Sequence, residues 1–236
     1  KANVIDHTNA HDAMSDVEAL VELAKRFKSS QAKLFSYLRD MRDKKSVAKL
    51  VTSHDPFVYT TGKYSSDYEK TTIVQRVFDH PDREATIVYN LREDPTKWHN
   101  KTVDELIQHW QARYSDDLEK LPVKTVQYNR CPAVAPVGVL DNETQKRLAI
   151  DLEVITKHRT SLLHNTSFID KLKKALTIIN NKQQAELPLQ DSVDEQIYEG
   201  FWGSADYEEL RMMRSAKPDT LSEISVKTSN KRIREM

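Results

Sequence analysis

The sequence predicts an α+β chain in which a β-rich module lies between two helical regions. Three observations predict it. Apolar residues recur at three- and four-residue spacing from 17 to 27, which is typical of one helix face. The stretch 57–91 is rich in β-branched and aromatic residues and is punctuated by Gly, Asp and Pro. From residue 142 onward the pattern is helical again.

The first helical region is predicted to hold two helices. The first covers 11–28, and the second covers 31–41. The basic stretch that follows, 42–49, is expected to continue as helix up to Val51. The side chains of the second helix that are expected to face inward are Leu34, Phe35 and Leu38.

The β-rich module is predicted to contain four strands and an inserted amphipathic helix. The strands are predicted at 57–61, 71–78, 85–91 and 123–128. The inserted helix is predicted over 103–114. Cys131, the single cysteine, precedes a proline in an apolar stretch, and we expect it to lie in the core.

The C-terminal region is predicted to be helical, with a polar linker inside it. Pro188 stands in a polar stretch that is typical of such a linker, 183–192. Helices are predicted at 144–150, 152–163, 168–179 and 194–214.

The amino-acid composition limits the classes of protein to which the chain can belong. The 236 residues, with 38% hydrophobic and 31% charged, are typical of a globular protein. Lys+Arg and Asp+Glu both number 36, so net charge argues neither for nor against nucleic-acid binding. A single cysteine excludes an intrachain disulfide and fits a reducing cytoplasm, and no apolar run is long enough to span a membrane. Both ends are expected to be cuts in a longer protein, since Lys1 is not Met and a charged helical pattern runs to the last residue.

The motif that carries chemistry is His11-Asp-Ala-Met-Ser-Asp16. A His before a helix and an Asp in its first turn are able to face one point in space. Phosphodiester hydrolysis needs such a pair, because the carboxylate holds a divalent metal and the neutral imidazole takes a proton from the attacking water. The alternative is structural, since an Asp in a first turn commonly interacts with the helix dipole.

The spacing His11-x-Ala-x-x-Asp16 resembles the last motif of the DEDDh 3′–5′ exonucleases, and other segments resemble the bacterial exonuclease I family in particular. The resemblance implies that His11 is the general base and that Asp16 is a metal ligand, with Mg²⁺ as the metal. It implies hydrolysis of single-stranded DNA from its 3′ end in DNA repair and recombination. The segments that carry it are 8–17, 34–38, 122–124, 129–132 and 193–201.

The family's architecture implies three parts for this chain. Residues 1–30 would be the C-terminal remnant of the exonuclease domain, 31–185 an SH3-like domain with helical insertions, and 186–236 the start of a helical domain. Because most of the catalytic carboxylates would lie outside the chain, we expect the chain alone to be inactive and to contribute DNA clamping.

The family also docks the acidic, hydrophobic C-terminal tail of single-stranded DNA-binding protein, and Tyr37 falls where an aromatic residue of that pocket would lie. Arg42, Lys44 and Lys45 form a basic cluster that could follow a phosphate backbone. A solvated helix face explains that cluster at least as well. Other stacking candidates are tyrosines for which packing in a half-buried sheet is favoured: Tyr59, Tyr64, Tyr68 and Tyr89.

Two further functions stay open at this point. One is a non-catalytic module that binds nucleic acid or a protein. The other is a structural helical protein, which leaves the ordered series of matching segments unexplained. An Asp-x-Glu strand encoded upstream of Lys1 would favour the enzyme.

Overall fold

The computed structural model describes residues 13–113, 117–186 and 202–221, together with positions 228, 230, 233 and 234. It divides into two compact units, Lys1–Ile179 and Asn180–Met236. Within the described residues, no helix combines the length and apolarity needed to cross a membrane.

The first unit begins with three helices, α1 (Ala13–Ser30), α2 (Ala32–Asp40) and α3 (Lys44–Val51). The predicted apolar stripe of α1 is present, but no residue of α1 is buried. Phe27 packs edge-on against Phe35 of α2, with ring centroids 5.8 Å apart. The large apolar side chains that α1 leaves exposed are Met14, Val17, Leu20, Val21 and Leu23.

The helix expected up to Val51 is confirmed by α3, but the expectation that it continues from the preceding helix through residues 42 and 43 is wrong. The helix is interrupted because the side chain of Asp43 caps a new one, accepting the backbone N–H of Ser46 at 2.9 Å. This bond and one from the Ser46 hydroxyl hold the pKa of Asp43 below its usual value. The expectation that Leu34 faces inward is also wrong. It is 46% exposed, because α2 packs through the side that carries Tyr37, next to Met41.

The centre of the unit is an antiparallel five-stranded sheet in the order β4-β3-β2-β1-β5. Four strands confirm the predicted ones, and the fifth was not predicted. The strands are β1 (Phe57–Thr60), β2 (Thr71–Asp79), β3 (Ala85–Asn90), β4 (Val123–Gln127) and β5 (Ala133–Pro136).

Each face of the sheet covers its own hydrophobic cluster, because successive side chains of a strand point to opposite faces. Phe57 and Val88 belong to the cluster beneath α2 and α3. Val58 and Ile87, their chain neighbours, belong to the larger cluster on the other face. The strands predicted from their β-branched and aromatic residues are therefore buried on both faces.

The larger cluster is closed by helices inserted after β3 and after β5. Trp98 and Leu106 are buried in it from the first insertion, and Phe168 and Leu172 from the second. A capping box at Thr102 and Glu105 starts the longer inserted helix. The first insertion contains α4 (Thr96–His99) and α5 (Val103–Gln111), and the second contains α6 (Asn142–Arg147), α7 (Leu152–His164) and α8 (Thr166–Ala185).

In the second unit the structure describes α9 (Ser204–Ser215), which confirms the C-terminal part of the helix predicted over 194–214. The carboxylate of Asp206 fixes its start, accepting the backbone N–H of Gly203 at 2.7 Å and the side-chain amide of Asn230 at 2.8 Å. Residues 187–201, which include most of the predicted linker, lie outside the described residues.

Candidate nucleic-acid interface

A cleft of about 1020 Å³ lies where β4 approaches β1 and β5. In a flat sheet of this order the two edge strands would be roughly 19 Å apart, four strand spacings. Residues of both edges, Lys124 of β4 and Ala133 of β5, nevertheless line one cleft. The sheet is therefore strongly curled, as in a small barrel, and the cleft occupies the gap between its edges.

The cleft is lined by cationic side chains. None of its lining residues that the structure describes is an aspartate or a glutamate. Concentrated positive charge in a concave, partly desolvated surface attracts polyanions even when the net charge of the chain is zero. The cationic residues are Lys63, Arg83, Lys120, Lys124 and Arg130.

Local structure explains how these side chains reach the cleft. Lys124 is on β4, two residues before the buried Val126, so that alternation directs both to the same face. The ammonium group of Lys120 donates a 2.7 Å hydrogen bond to the carbonyl of Ala112 at the end of α5. Arg130 ends a 3₁₀ turn, and Cys131 follows it with a left-handed backbone, φ 45°.

Aromatic rings stand beside the cations. Tyr59 and Trp110 line the cleft and are half-buried. The Tyr59 ring meets Tyr64 edge-on at 5.8 Å, and the Lys124 ammonium lies 5.6 Å from the centre of the Tyr64 ring. Aromatic faces next to backbone-tracking cations are the features with which proteins hold single-stranded nucleic acids, because every base has a face that can stack.

Two other predicted stacking candidates have packing roles, as the sequence favoured. Tyr89 is buried in the larger cluster. The guanidinium of Arg92 covers the Tyr68 ring at 4.0 Å and donates to the carbonyls of Leu148 and Ala149. Tyr68 and Arg92 therefore hold the second helical insertion on the sheet.

Burial changes the titration of Lys124, one of the cations of the cleft. Burial, followed by the charges of Lys120 and Lys63, lowers its pKa to about 8. A lysine in this state is only partly charged in mildly alkaline solution, whereas an exposed lysine stays charged.

The predicted catalytic pair is only partly within the described residues. Asp16 is exposed in the first turn of α1, and His11 lies outside the described residues. Among those residues, His, Cys, Asp and Glu form no group of three or more that could hold a metal ion. The described residues do not by themselves fit a Mg²⁺ site.

Tyr37, the predicted partner-binding aromatic, has a structural contact. Its hydroxyl donates a 3.0 Å hydrogen bond to the carbonyl of Val134 in β5, and its ring packs against the cluster beneath α2 and α3. Burial raises the pKa of this hydroxyl.

The predicted basic cluster of Arg42, Lys44 and Lys45 is exposed at the turn before α3 and in its first turn. Lys44 forms an ion pair with Glu84 at 2.8 Å, and this contact raises its pKa. Because Glu84 is the chain neighbour of Arg83, the cluster lies close to one end of the cleft.

The expectation that Cys131 lies in the core is wrong, since the thiol is exposed and lines the cleft. The left-handed backbone at this residue turns the chain from the 3₁₀ turn into β5. Local sequence shows the apolar neighbours but does not show that turn.

Sequence reasoning missed the cleft because its residues come together only when the edges of the sheet meet. One signal was available. In Val123-Lys-Thr-Val126 a lysine takes an alternate position in a strand, which points it to a face shared with a buried valine. The basic residues around it, from 120 to 130, then indicate a charged surface at that edge.

These features define an SH3-like domain, elaborated by helices, whose curled sheet carries a cationic cleft. The chain belongs to the exonuclease I family, because the family model described as "Exonuclease I SH3-like domain" matches residues 42–177.

Two curated relatives support this assignment over the whole chain. Exodeoxyribonuclease I of Haemophilus influenzae is 35% identical over 243 residues, which cover 100% of this chain and 50% of the relative. Exodeoxyribonuclease I of Escherichia coli is 30% identical, again over 100% of this chain and 50% of the relative. The chain thus spans about half the length of the curated relatives it matches.

Solved structures show the same fold. A zinc-bound complex of Escherichia coli exonuclease I with single-stranded DNA is similar with a TM-score of 0.77 at 30% identity, over 97% of this chain and 49% of that one. Exonuclease I of Methylocaldum szegediense is similar with a TM-score of 0.75 at 28% identity, over 95% and 47%. A complex described as SSB/Exonuclease I with an inhibitor has a TM-score of 0.69 at 27% identity, over 97% and 47%.

Proposed function

We propose that this chain is the DNA-clamping part of a 3′-to-5′ exodeoxyribonuclease that degrades single-stranded DNA to 5′-mononucleotides in DNA repair and recombination. The observation that carries the proposal is the cleft between the edge strands, with five cations and no carboxylate among its described lining residues. The naming of relatives as exodeoxyribonuclease I, and the single-stranded DNA in the similar Escherichia coli complex, support it.

The cleft suits a single strand better than a duplex. Tyr59 and Trp110 are presented beside the cations, and a stacked duplex offers them no base faces. The cations would neutralise phosphates irrespective of sequence, which is what an enzyme that digests any sequence requires.

For catalysis, we propose His11 as general base and Asp16 as a ligand of a divalent metal, Mg²⁺ in the full-length enzyme. A bound divalent metal would supply charge stabilisation at the phosphate. The zinc-bound Escherichia coli complex supports dependence on a divalent metal. With a single metal ligand assigned in this chain, the isolated chain is expected to be inactive.

The domain assignment belongs to the same proposal. Residues 1–30 are the end of the exonuclease domain, 31–185 the SH3-like domain, and 186–236 the start of a helical domain. The family match over 42–177 supports the second of these.

The proposed protein partner is the C-terminal tail of single-stranded DNA-binding protein, with Tyr37 as its aromatic contact. The similar complex described as SSB/Exonuclease I supports a partner of this kind. Arg42, Lys44 and Lys45 remain proposed contacts of the DNA backbone, beside the cleft.

Binding of a labelled single strand by the chain tests the clamping role. Fluorescence anisotropy at a series of salt concentrations gives the slope of log affinity against log salt concentration. Each phosphate contact with a single strand contributes about 0.7 to the magnitude of that slope. Lys63→Met and Arg130→Met should each lower that slope by about 0.7. The matched control is Lys174→Met, since Lys174 is exposed on α8 and does not line the cleft.

An equal slope for Lys63→Met, Arg130→Met and Lys174→Met would refute a role for the cleft. Failure of the parent chain to bind a single strand at low salt would refute the clamping function as a whole.

A further inference from the structure

A β-bulge interrupts β2 between Arg76 and Phe78. Val77 is the extra residue, and it packs against the larger cluster together with its neighbour Phe78. Regular alternation would send residues three apart to opposite faces, but the extra residue brings Arg76 and Asp79 to one face. Arg76 therefore donates two hydrogen bonds to the carboxylate of Asp79, at 3.2 and 2.8 Å. Bulges of this kind redirect side chains and are over-represented beside functional sites.

The redirected carboxylate is the end of a directed chain of hydrogen bonds. Asp79 lies opposite Thr86 in the sheet, and the buried Thr86 hydroxyl donates to it at 3.0 Å. The bonds from Arg76 and then from Thr86 hold the pKa of Asp79 below its usual value, so the ionised carboxylate only accepts. Because the hydrogen of Thr86 is committed to Asp79, its oxygen accepts from the hydroxyl of Tyr128 at 2.5 Å.

Tyr128 stands at the start of the 3₁₀ turn that leads into the cleft, Tyr128–Arg130. The backbone N–H of Tyr128 donates to the carbonyl of Glu84 at 3.1 Å, and its ring packs against the cluster beneath α2 and α3. Tyr128 is thus held through its backbone, its ring and its hydroxyl. Arg130, two residues further on, is exposed and lines the cleft.

The backbone that follows the turn needs such support. Cys131 has a φ of 45°, in the left-handed region that residues other than glycine rarely adopt. A conformation of this kind is unfavourable and persists only where the surrounding structure imposes it. On one side the chain is held by the pairing of Ala133 with Thr60 of β1, and on the other side it is held by Tyr128. Arg130 lies between these two anchors.

We propose that Tyr128 is a positioning residue of the DNA clamp: through Thr86 and Asp79, the bulge of β2 fixes the 3₁₀ turn and with it the place of Arg130 in the cleft. The inference rests on the proposed DNA-clamping function, in which Arg130 contacts the strand. Tyr128, Thr86 and Asp79 are not among the described residues that line the cleft, so their role differs from contact with DNA. An arginine whose backbone is already fixed loses less conformational freedom on binding, which raises the affinity for the strand.

The first test measures the mobility of the turn without DNA. Cys131 is the single cysteine and its thiol is exposed, so a nitroxide attached there reports on the turn by EPR spectroscopy. Tyr128→Phe and Thr86→Val each remove one hydroxyl of the chain and should make the nitroxide more mobile. Thr86→Ser keeps the hydroxyl, and Tyr207→Phe removes an exposed one on α9, so both should give the spectrum of the parent. Equal mobility in Tyr128→Phe, Thr86→Val and the parent would overturn the positioning role, whether or not the chain binds DNA.

The second test measures binding of a labelled single strand by the unlabelled chain at a series of salt concentrations. Each variant is used under conditions where its urea unfolding curve shows the folded state. Tyr128→Phe and Thr86→Val should lower the affinity by roughly two- to fivefold at low salt, the scale of one net hydrogen bond, and Thr86→Ser should not. The salt slope of Tyr128→Phe should move toward that of Arg130→Met. When Arg130 is already replaced by Met, Tyr128→Phe should change neither the affinity nor the slope.

The outcomes separate the positioning role from the clamping function. An equal loss of affinity from Tyr128→Phe in the parent and in Arg130→Met would overturn the positioning role and leave the clamping function standing. The same holds if Tyr128→Phe binds as the parent does while Arg130→Met binds weakly. If Arg130→Met instead has the salt slope of Lys174→Met, the role of the cleft is refuted and the positioning role falls with it.

Discussion

The hydroxyl of Tyr37 donates a 3.0 Å hydrogen bond to the carbonyl of Val134, a residue 97 positions further along the chain. The bond joins α2 to β5, the edge strand beside the cleft. Tyr37 therefore connects two proposals, because the residue assigned to the protein partner also holds one wall of the candidate DNA interface.

Tyr37→Phe removes the hydroxyl and its hydrogen bond but keeps the aromatic ring. It should lower the free energy of unfolding by about 1 kcal/mol, the usual net value of one hydrogen bond, because the ring still packs on the cluster. Urea unfolding measures the change. Tyr37→Ala should cost more, since it also removes the ring.

The same variants test the partner site in the full-length enzyme. If the tail of single-stranded DNA-binding protein contacts the ring, Tyr37→Phe should bind a fluorescent tail peptide as the parent does, and Tyr37→Ala should bind it weakly. Binding should also weaken with salt, because basic neighbours attract an acidic tail. Tight binding by Tyr37→Ala would place the pocket elsewhere.

The second prediction concerns the ion pair of Lys44 and Glu84. Glu84→Gln should raise affinity for a single strand by roughly two- to fivefold at low salt, because it releases Lys44 and removes a negative charge beside Arg83. Stability should scarcely change, since exposed ion pairs contribute little. The gain should vanish in Glu84→Gln/Lys44→Met, and a gain that persists there would show that Lys44 does not contact DNA.

The sequence predicted the features that depend on local interactions and missed those that depend on contacts between residues distant along the chain. Four strands were predicted because their richness in β-branched and aromatic residues is a local signal, and β5 was missed because its four residues include a proline and follow another. Leu34 and Cys131 were placed wrongly because helix rotation and a left-handed turn are set by tertiary packing. The cleft was missed because Lys63 and Lys124 meet only when the sheet curls.

The third prediction concerns His11 and Asp16 in the full-length enzyme. His11→Ala should lower kcat by roughly 10²–10⁴-fold with little change in DNA affinity, the usual range for loss of a general base. Asp16→Ala should be at least as severe if the carboxylate binds metal. Release of mononucleotides at saturating single-stranded DNA is the measurement, and an unchanged kcat for either variant would refute its assignment.

The same assay, applied to the isolated chain, tests the expectation that this chain alone is inactive. With magnesium it should release no 5′-mononucleotides above the level of its own His11→Ala variant. Clear release by the parent alone would mean that the chain contains a complete active site.

The last prediction concerns the stability cost of Lys124 and separates it from DNA binding. Its pKa in the folded chain, about 8, is below the ordinary value of 10.5, so the unfolded chain binds more protons between these two values. The contribution of Lys124 to the free energy of unfolding therefore rises with pH across that window and is lowest, and constant, below it.

Lys124→Met removes the buried charge and keeps much of the side-chain volume. The variant should be more stable than the parent by about 1–2 kcal/mol near pH 7, after allowance for solvent screening, and equal to it near pH 10. Urea unfolding at a series of pH values measures the difference, and Lys174→Met should stay within about 0.5 kcal/mol of the parent at every pH. A Lys124→Met variant that is less stable than the parent near pH 7 would mean that contact with the Tyr64 ring outweighs desolvation, and that Lys124 is charged in the folded chain without any anion.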